Sequence, residues 1–276
     1  MKTRVFKFVI VQLIFVSGLN AQQTYPHKAN GDTIFNQQDK LGEKTGWWKG
    51  TYPDGTTRYY GYFENGTPVG LMKRYRDDGT LQAKIYFHEN NEAFAKLYYN
   101  DGNLAAEGKY VNMKKDSLWK YYSFYSHELM AKERYKSGVK DSLSIKYYEN
   151  GQVFEKLCWE NGKKDGKWIQ YFENGKLKLK GHYEDGTRKG DFKTYYPNGS
   201  LETDGKYKDN LMTGNWVFYL PDSTEEMSIE FEAGKAKNPE KLLKKQREFL
   251  KLIEENKGKI PEPEDAMYEH GTPPAK

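Results

Sequence analysis

Gly166-Lys-Trp168-Ile-Gln-Tyr171-Phe172-Glu-Asn174-Gly175-Lys-Leu177-Lys-Leu-Lys-Gly-His-Tyr183-Glu-Asp185-Gly186-Thr-Arg-Lys-Gly190 is the stretch that decides the fold. Two turn signals, Asn174-Gly175 and Asp185-Gly186, stand between segments rich in aromatic residues. Asn-Gly and Asp-Gly favour left-handed backbone angles, so each predicts a tight two-residue hairpin turn. Each unit thus reads as two short strands of about five to seven residues, each ending in a turn, and their aromatic side chains suit a pleated, half-buried surface.

Outward from this stretch the same signals recur. The first turn returns at Gly55, Gly79, Gly102, His127, Gly151, Gly175, Gly199 and Ser223, and the second at Gly66, Asn91, Met113, Gly138, Gly162, Gly186, Asn210 and Gly234. Two independent turn series share a period near 24 residues, which is the signature of a repeat architecture. The residues between turns keep step. Four places before the first turn stand Thr51, Tyr75, Tyr98, Tyr122 (shifted one place by an insertion), Tyr147, Tyr171, Tyr195 and Tyr219, and three places earlier Trp48, Met72, Ala95, Trp119 (shifted with it), Ser144, Trp168, Phe192 and Trp216. Phe63, His88, Tyr110, Tyr135, Trp159, Tyr183, Tyr207 and Phe231 precede the second turn. One hairpin is marginal alone, so stability is expected to come from the stacking of neighbouring units. The prediction is an all-β, elongated, solenoid-like array of about eight stacked antiparallel hairpins over 46–234, some 75 Å long at the usual strand spacing. Between Phe87 and Glu128 the turn glycines give way to Asn90-Asn91, Asn112-Met113 and Ser126-His127, which marks that stretch as the candidate for a specific binding spot. Asp116-Ser117 and Asp141-Ser142 take the place that Asp165-Gly166 holds in the unit.

The flanks read differently. Lys2, Arg4 and Lys7 precede an apolar run from Phe8 to Val16 and a small-residue stretch ending at Ala21. This is the layout of a secretory signal peptide over 1–21, and it predicts an exported chain, whether periplasmic, outer-surface or secreted. Residues 22–45 read as a polar N-terminal extension. Asn238-Pro239-Glu240 supplies a cap, a proline and an early acid, so an amphipathic helix is expected within 235–258, with Leu242, Gln246, Phe249, Leu250 and Ile253 on its apolar stripe. Capping of the last aromatic layer is a sufficient task for that stripe. The proline-bearing tail, 259–276, is expected to be disordered.

Composition narrows the function. The net charge of +5 falls to near balance once the first 21 residues are set aside, leaving 41 basic against 39 acidic residues, which gives no case for nucleic-acid binding. Cys158 is the single cysteine and is expected to be a small buried hydrophobe. The five histidines lack metal-binding spacing and no nucleophile elbow occurs, so no catalytic residue, cofactor or metal site is assigned and the chain is expected not to be an enzyme.

The unit formed by Trp168, Tyr171, Phe172, Asn174, Gly175, Leu177, Tyr183, Asp185, Gly186 and Gly190, repeated around Phe192, Tyr195, Tyr196, Asn198 and Gly199 and again at Trp216 and Tyr219, resembles the MORN repeat, in particular its bacterial variant, often labelled YwqK-type antitoxin. The resemblance covers about 46–234. It implies an array of β-hairpins and associates it with protein scaffolding, contacts with membrane lipid, and an antitoxin label. The expected role is a non-enzymatic binding scaffold whose partner is another protein; an immunity or antitoxin role, and surface binding to lipid or glycan through exposed Tyr and Lys rows, are the alternatives.

Overall fold

The computed structural model describes residues 31–255. The signal peptide expected over 1–21, the start of the expected N-terminal extension and the expected disordered tail lie outside the described residues. Within them, twenty strands form one long open antiparallel sheet. The stacked hairpins are joined edge to edge as one continuous meander, and the long strands between the two ends are hydrogen-bonded on both sides. The two-residue strands Val139–Lys140 and Thr187–Arg188 each pair only with the strand before them, which also pairs with the longer strand that follows. The sheet also reaches further than 46–234: strand Lys44–Thr51 is flanked by Gln37–Gln38, and Lys235–Ala236 pairs with Glu225–Glu232.

The two turn series are built differently. In the second, both residues are left-handed, as at Asp185 (φ 45°) and Gly186 (φ 85°), which is the two-residue hairpin turn expected from the sequence. In the first, only the last residue is left-handed, Gly175 at φ 80°, and the Gly175 amide donates to the Phe172 carbonyl at 2.9 Å. This is a longer turn of the common type followed by a left-handed residue, stabilised where the Asn174 Oδ1 accepts the Lys176 amide at 3.0 Å. The two-residue expectation for the first series is corrected accordingly. Asn112-Met113 keeps the tight second turn without glycine, both residues taking positive φ, whereas the loop after Phe87 is longer. Phe87, paired with Gly70, therefore occupies the column assigned to His88, which lies in that loop.

Alternation sends every second side chain to the same face. One face carries the core. A single row crosses it strand by strand: Trp48, Gly61, Met72, Ile85, Ala95, Gly108, Trp119, then Glu133, Ser144, Leu157, Trp168, Gly181, Phe192, Gly205, Trp216 and Ile229. A glycine lies beside every tryptophan of the row, so large and absent side chains alternate and the indole rings lie flat over bare backbone. Trp119 is fully buried and Trp216 nearly so, and their indole N–H groups donate to the carbonyls of Lys109 (2.9 Å) and Lys206 (3.1 Å). A second line on this face holds Phe63, Tyr183 and Phe231 buried, each opposite a left-handed glycine, Gly46, Gly166 and Gly214. Ser117 (φ 59°) and Ser142 (φ 66°) adopt the same left-handed conformation where the unit has glycine, in keeping with their place in the repeat.

Tyrosines of a further column tie unit to unit. The hydroxyls of Tyr52, Tyr99, Tyr148 and Tyr196 donate to the carbonyls of Tyr75, Tyr122, Tyr171 and Tyr219, one repeat ahead, at 2.7–2.9 Å. Where arginine replaces tyrosine, Arg76 reaches the Tyr98 carbonyl instead.

The two outer edges, where an open sheet could associate edge to edge, differ in how they are covered. At the first, the Asn36 amide donates to the Trp47 carbonyl and its Oδ1 accepts the Lys49 amide. At the last, helix Pro239–Glu255 stands beside Glu225–Ser228, joined by a Lys245–Glu226 ion pair. The helix falls where the sequence placed it, but Lys235–Ala236 belongs to the sheet. The expectation that its apolar stripe caps the aromatic layer is overturned: the helix buries no residue, and Leu242, Phe249, Leu250 and Ile253 are exposed. Cys158 is half-buried rather than part of the core.

Candidate binding face

The opposite face is built from the other half of each alternation. Along its middle row stand Lys49, Tyr60, Lys73, Lys84, Lys96, Glu107, Lys120, Lys132, Ile145, Lys156, Ile169, Lys180, Lys193, Asp204, Val217 and Ser228. The tyrosines of the repeat, Tyr75, Tyr98, Tyr122, Tyr147, Tyr171, Tyr195 and Tyr219, lie on the same face in the adjoining row. Ring contacts with the lysines place them there: the ammonium groups of Lys84, Lys132 and Lys156 lie 5.5–5.6 Å from the ring centres of Tyr98, Tyr147 and Tyr171. Trp48, Trp119, Trp168, Trp216 and Tyr183 are on the core face, and Gly175, Gly199 and Gly186 are in the turns. The repeat-defining residues therefore divide between two sides of one sheet: the tryptophans and Tyr183 hold the core, and the tyrosines that precede the first turn lie on the lysine face.

The two acids of the lysine row are already satisfied. Glu107 accepts from Lys120 at 2.9 Å and from the Tyr122 hydroxyl at 3.0 Å, with Lys96 at 3.8 Å. The hydrogen bond from Lys120 holds the Glu107 carboxyl below its ordinary range, and the same contact raises Lys120. Asp204 is paired with Lys193, whose ammonium is raised chiefly by that hydrogen bond. The remaining lysines of the row leave a surplus of positive charge on this face. Burial, followed by the neighbouring Tyr60, raises the phenol of Tyr75.

On the other side of the lysine row the units differ. Leu71, Tyr86, Phe94 and Leu118 come together on neighbouring strands, rimmed by Lys84, Lys96, Lys109 and Lys120 around a groove of about 620 Å³. Phe94 is 51% exposed, and Tyr86 and Leu118 each 36%. His88 lies against both Tyr86 (4.7 Å between ring centres) and Phe94 (5.5 Å). This apolar patch overlaps the irregular stretch Phe87–Glu128. Its residues were not singled out from sequence, because Leu71, Tyr86, Phe94 and Leu118 are scattered over two repeats. The signal that could have found them is parity: each falls on the face opposite the tryptophan column.

Among the described residues no group of three or more His, Cys, Asp or Glu side chains is arranged to hold a metal ion. The core face does contain two acids with several partners each, Glu155 buried and Glu133 half-buried. Glu133 pairs with Lys140 at 2.5 Å and accepts from the Tyr135 hydroxyl at 2.6 Å; Glu155 accepts from Trp168, Gln170 and Lys146. Burial works to raise Glu155, but these three hydrogen bonds outweigh it and its carboxyl is lowered.

An open antiparallel sheet of 24-residue hairpin units, with the main core on one face, defines a β-hairpin repeat protein. In agreement, four stretches, 95–112, 140–161, 164–185 and 188–209, match the family described as MORN repeat variant. No curated protein matches the chain. Among solved structures, the crystal structure of TarM is similar at 15% identity over 34% of this chain and 19% of that one, with a TM-score of 0.27. The crystal structure of TcdB2-TccC3 is similar at 9% identity over 68% of this chain and 13% of that one, with a TM-score of 0.18. The chain thus spans less than a fifth of the length of either, and no functional statement follows from likenesses of that size.

Proposed function

We propose that this chain is an exported, non-enzymatic scaffold that holds another protein on its lysine-bearing face. The repeat match supports a binding scaffold in general terms; the observation that favours a protein partner is the patch of Phe94, Tyr86, Leu71 and Leu118. Exposed aromatic and aliphatic side chains packed beside charged rims are what protein interfaces use as anchors. The lysine rim favours a partner whose contacting segment is acidic around an apolar residue. A toxin bound for neutralisation would be one such partner.

The test is capture from envelope and culture-medium fractions of the native source, with wild-type protein and Phe94→Asp as baits. A partner retained by the first and lost from the second supports the reading. Recovery of no specific protein, or of the same proteins by both, refutes it. Fractionation of the tagged full-length chain checks export, and retention in the cytoplasm overturns that part.

A further inference from the structure

Beyond the apolar patch, the lysine face changes character between Glu107 and Asp204. Across five successive strands the middle row reads Lys132, Ile145, Lys156, Ile169, Lys180, alternating charge and hydrocarbon at each step of the sheet. None of these three lysines lies within ion-pair distance of a carboxylate among the described residues, whereas the lysines bordering the run are paired, Lys120 with Glu107 and Lys193 with Asp204. In the repeat, Glu107 and Asp204 occupy the same position as Lys132, Lys156 and Lys180, so an acid ends the free series on each side. Beside it runs a row of rings: Tyr147 and Tyr171, carrying Lys132 and Lys156 at 5.6 and 5.5 Å, with Tyr195 at the same place in the next unit.

A simple solvated surface accounts for scattered lysines. It does not call for alternation with isoleucine, for planar rings in register, or for a boundary at both ends. The free charges recur every second strand, about 9–10 Å apart, and the apolar positions fall halfway between. A partner matching this must be linear, carry one negative charge for every two of its own units, and show a flat, weakly polar surface to the rings. In an extended peptide laid across the strands, at roughly 3.3 Å per residue, the residues that meet successive lysines are three apart and so point to opposite faces. A linear sugar chain advances by about one strand spacing per ring, and its C–H faces stack on aromatic planes as apolar surfaces do.

We propose that the three-unit platform of Lys132, Lys156 and Lys180, with Ile145, Ile169 and the adjoining tyrosines, binds a linear anionic glycan in which charged and uncharged sugars alternate. Each lysine takes one carboxylate of the glycan, and each isoleucine lies beneath an uncharged ring. This site is separate from the Phe94 patch and does not depend on the reading of that patch as a protein anchor.

The test uses the full-length exported chain and defined probes in calorimetry: a hyaluronan hexasaccharide, which carries three charges in alternation, polygalacturonate, which is charged at every sugar, neutral dextran, and vesicles containing phosphatidylglycerol. The expected result is salt-sensitive binding of the hexasaccharide, at least tenfold tighter than an equal length of polygalacturonate, with no binding of dextran or vesicles. Lys132→Gln/Lys156→Gln/Lys180→Gln should weaken it at least tenfold while hydrogen exchange of the sheet is unchanged, and Ile145→Ser/Ile169→Ser should weaken it with charge intact. Phe94→Asp should leave it as it is, which separates this site from protein capture. Failure to bind the hexasaccharide, equal binding of both anionic glycans, binding of vesicles in their place, or indifference to the lysine changes would each overturn the proposal.

Discussion

Gly205→Ala adds one methyl group to the sheet and should be among its most damaging small changes. A Cβ at Gly205 would stand 2.2 Å from Cδ2 and 2.4 Å from Cε2 of Trp216, where carbon atoms rest comfortably at about 3.5–4.0 Å. The indole cannot swing aside. It is 2% exposed, donates to the Lys206 carbonyl, and is enclosed by Phe192, Tyr207 and Phe231 at ring-centre distances of 5.0–6.3 Å. Overpacking of this kind costs roughly 1–3 kcal/mol. Replacing glycine in a strand recovers about 0.5–1 kcal/mol of backbone entropy, so the net loss should be about 1–2 kcal/mol. In a domain of this size that is a fall of about 2–8 °C in Tm. Gly181→Ala is the internal comparison. Its Cβ meets Phe192 and Trp168 only at 3.3 Å, and the loss should be well under half as large. The assay is thermal and urea unfolding followed by tryptophan fluorescence, with hydrogen exchange over 201–219 to locate the damage. Trp216→Phe should relieve the clash, since Phe192 fills the equivalent place, and the double-mutant cycle should return a coupling of at least 1 kcal/mol. A neutral Gly205→Ala, or the same loss in the Trp216→Phe background, would refute the idea that tryptophan and glycine are fitted as a pair.

Further outcomes follow from the same geometry. Met113 is 72% exposed and left-handed in a tight turn, so Met113→Gly should raise stability by about 0.5–1 kcal/mol in urea unfolding. Tyr148→Phe removes the hydrogen bond to the Tyr171 carbonyl and should lose about 1 kcal/mol, seen as faster amide exchange between those two repeats. Glu155 is lowered in the folded chain. Its contribution should therefore be complete above the ordinary carboxylate range and disappear as pH falls through its lower folded value. Glu155→Gln should be less stable at neutral pH and flatter in acid unfolding, and a parallel pH profile for the two proteins would contradict this.

The repeat was legible because turn chemistry is local. An Asp-Gly or Asn-Gly pair fixes the backbone through its own dihedral preferences, so two turn series of equal period were enough to give the hairpins and their number, while the short strands added at each end of the sheet carry no such signal. The distinction between the two turns was not legible. Asn174-Gly175 and Asp185-Gly186 look alike as dipeptides, and only the hydrogen bond from Gly175 back to Phe172 separates them. The role of the helix was misread for a related reason: an apolar stripe shows that a helix has something to bury, not that anything lies within reach.

By itself the sequence determined that this chain would be a run of antiparallel strands with a tyrosine and a tryptophan in each regular unit. Tertiary structure alone decided that these two aromatics would do different work. Pairing register sets the strands side by side, and parity then sends tryptophan over the glycines of the neighbouring strand and tyrosine to the lysine face. Leu71, Tyr86, Phe94 and Leu118, far apart in the chain, become one patch through the same register, as do Lys132, Lys156 and Lys180. The physical reason is that a strand's neighbours are chosen by hydrogen bonds across the sheet, so a surface made one residue per strand has no continuous trace along the chain.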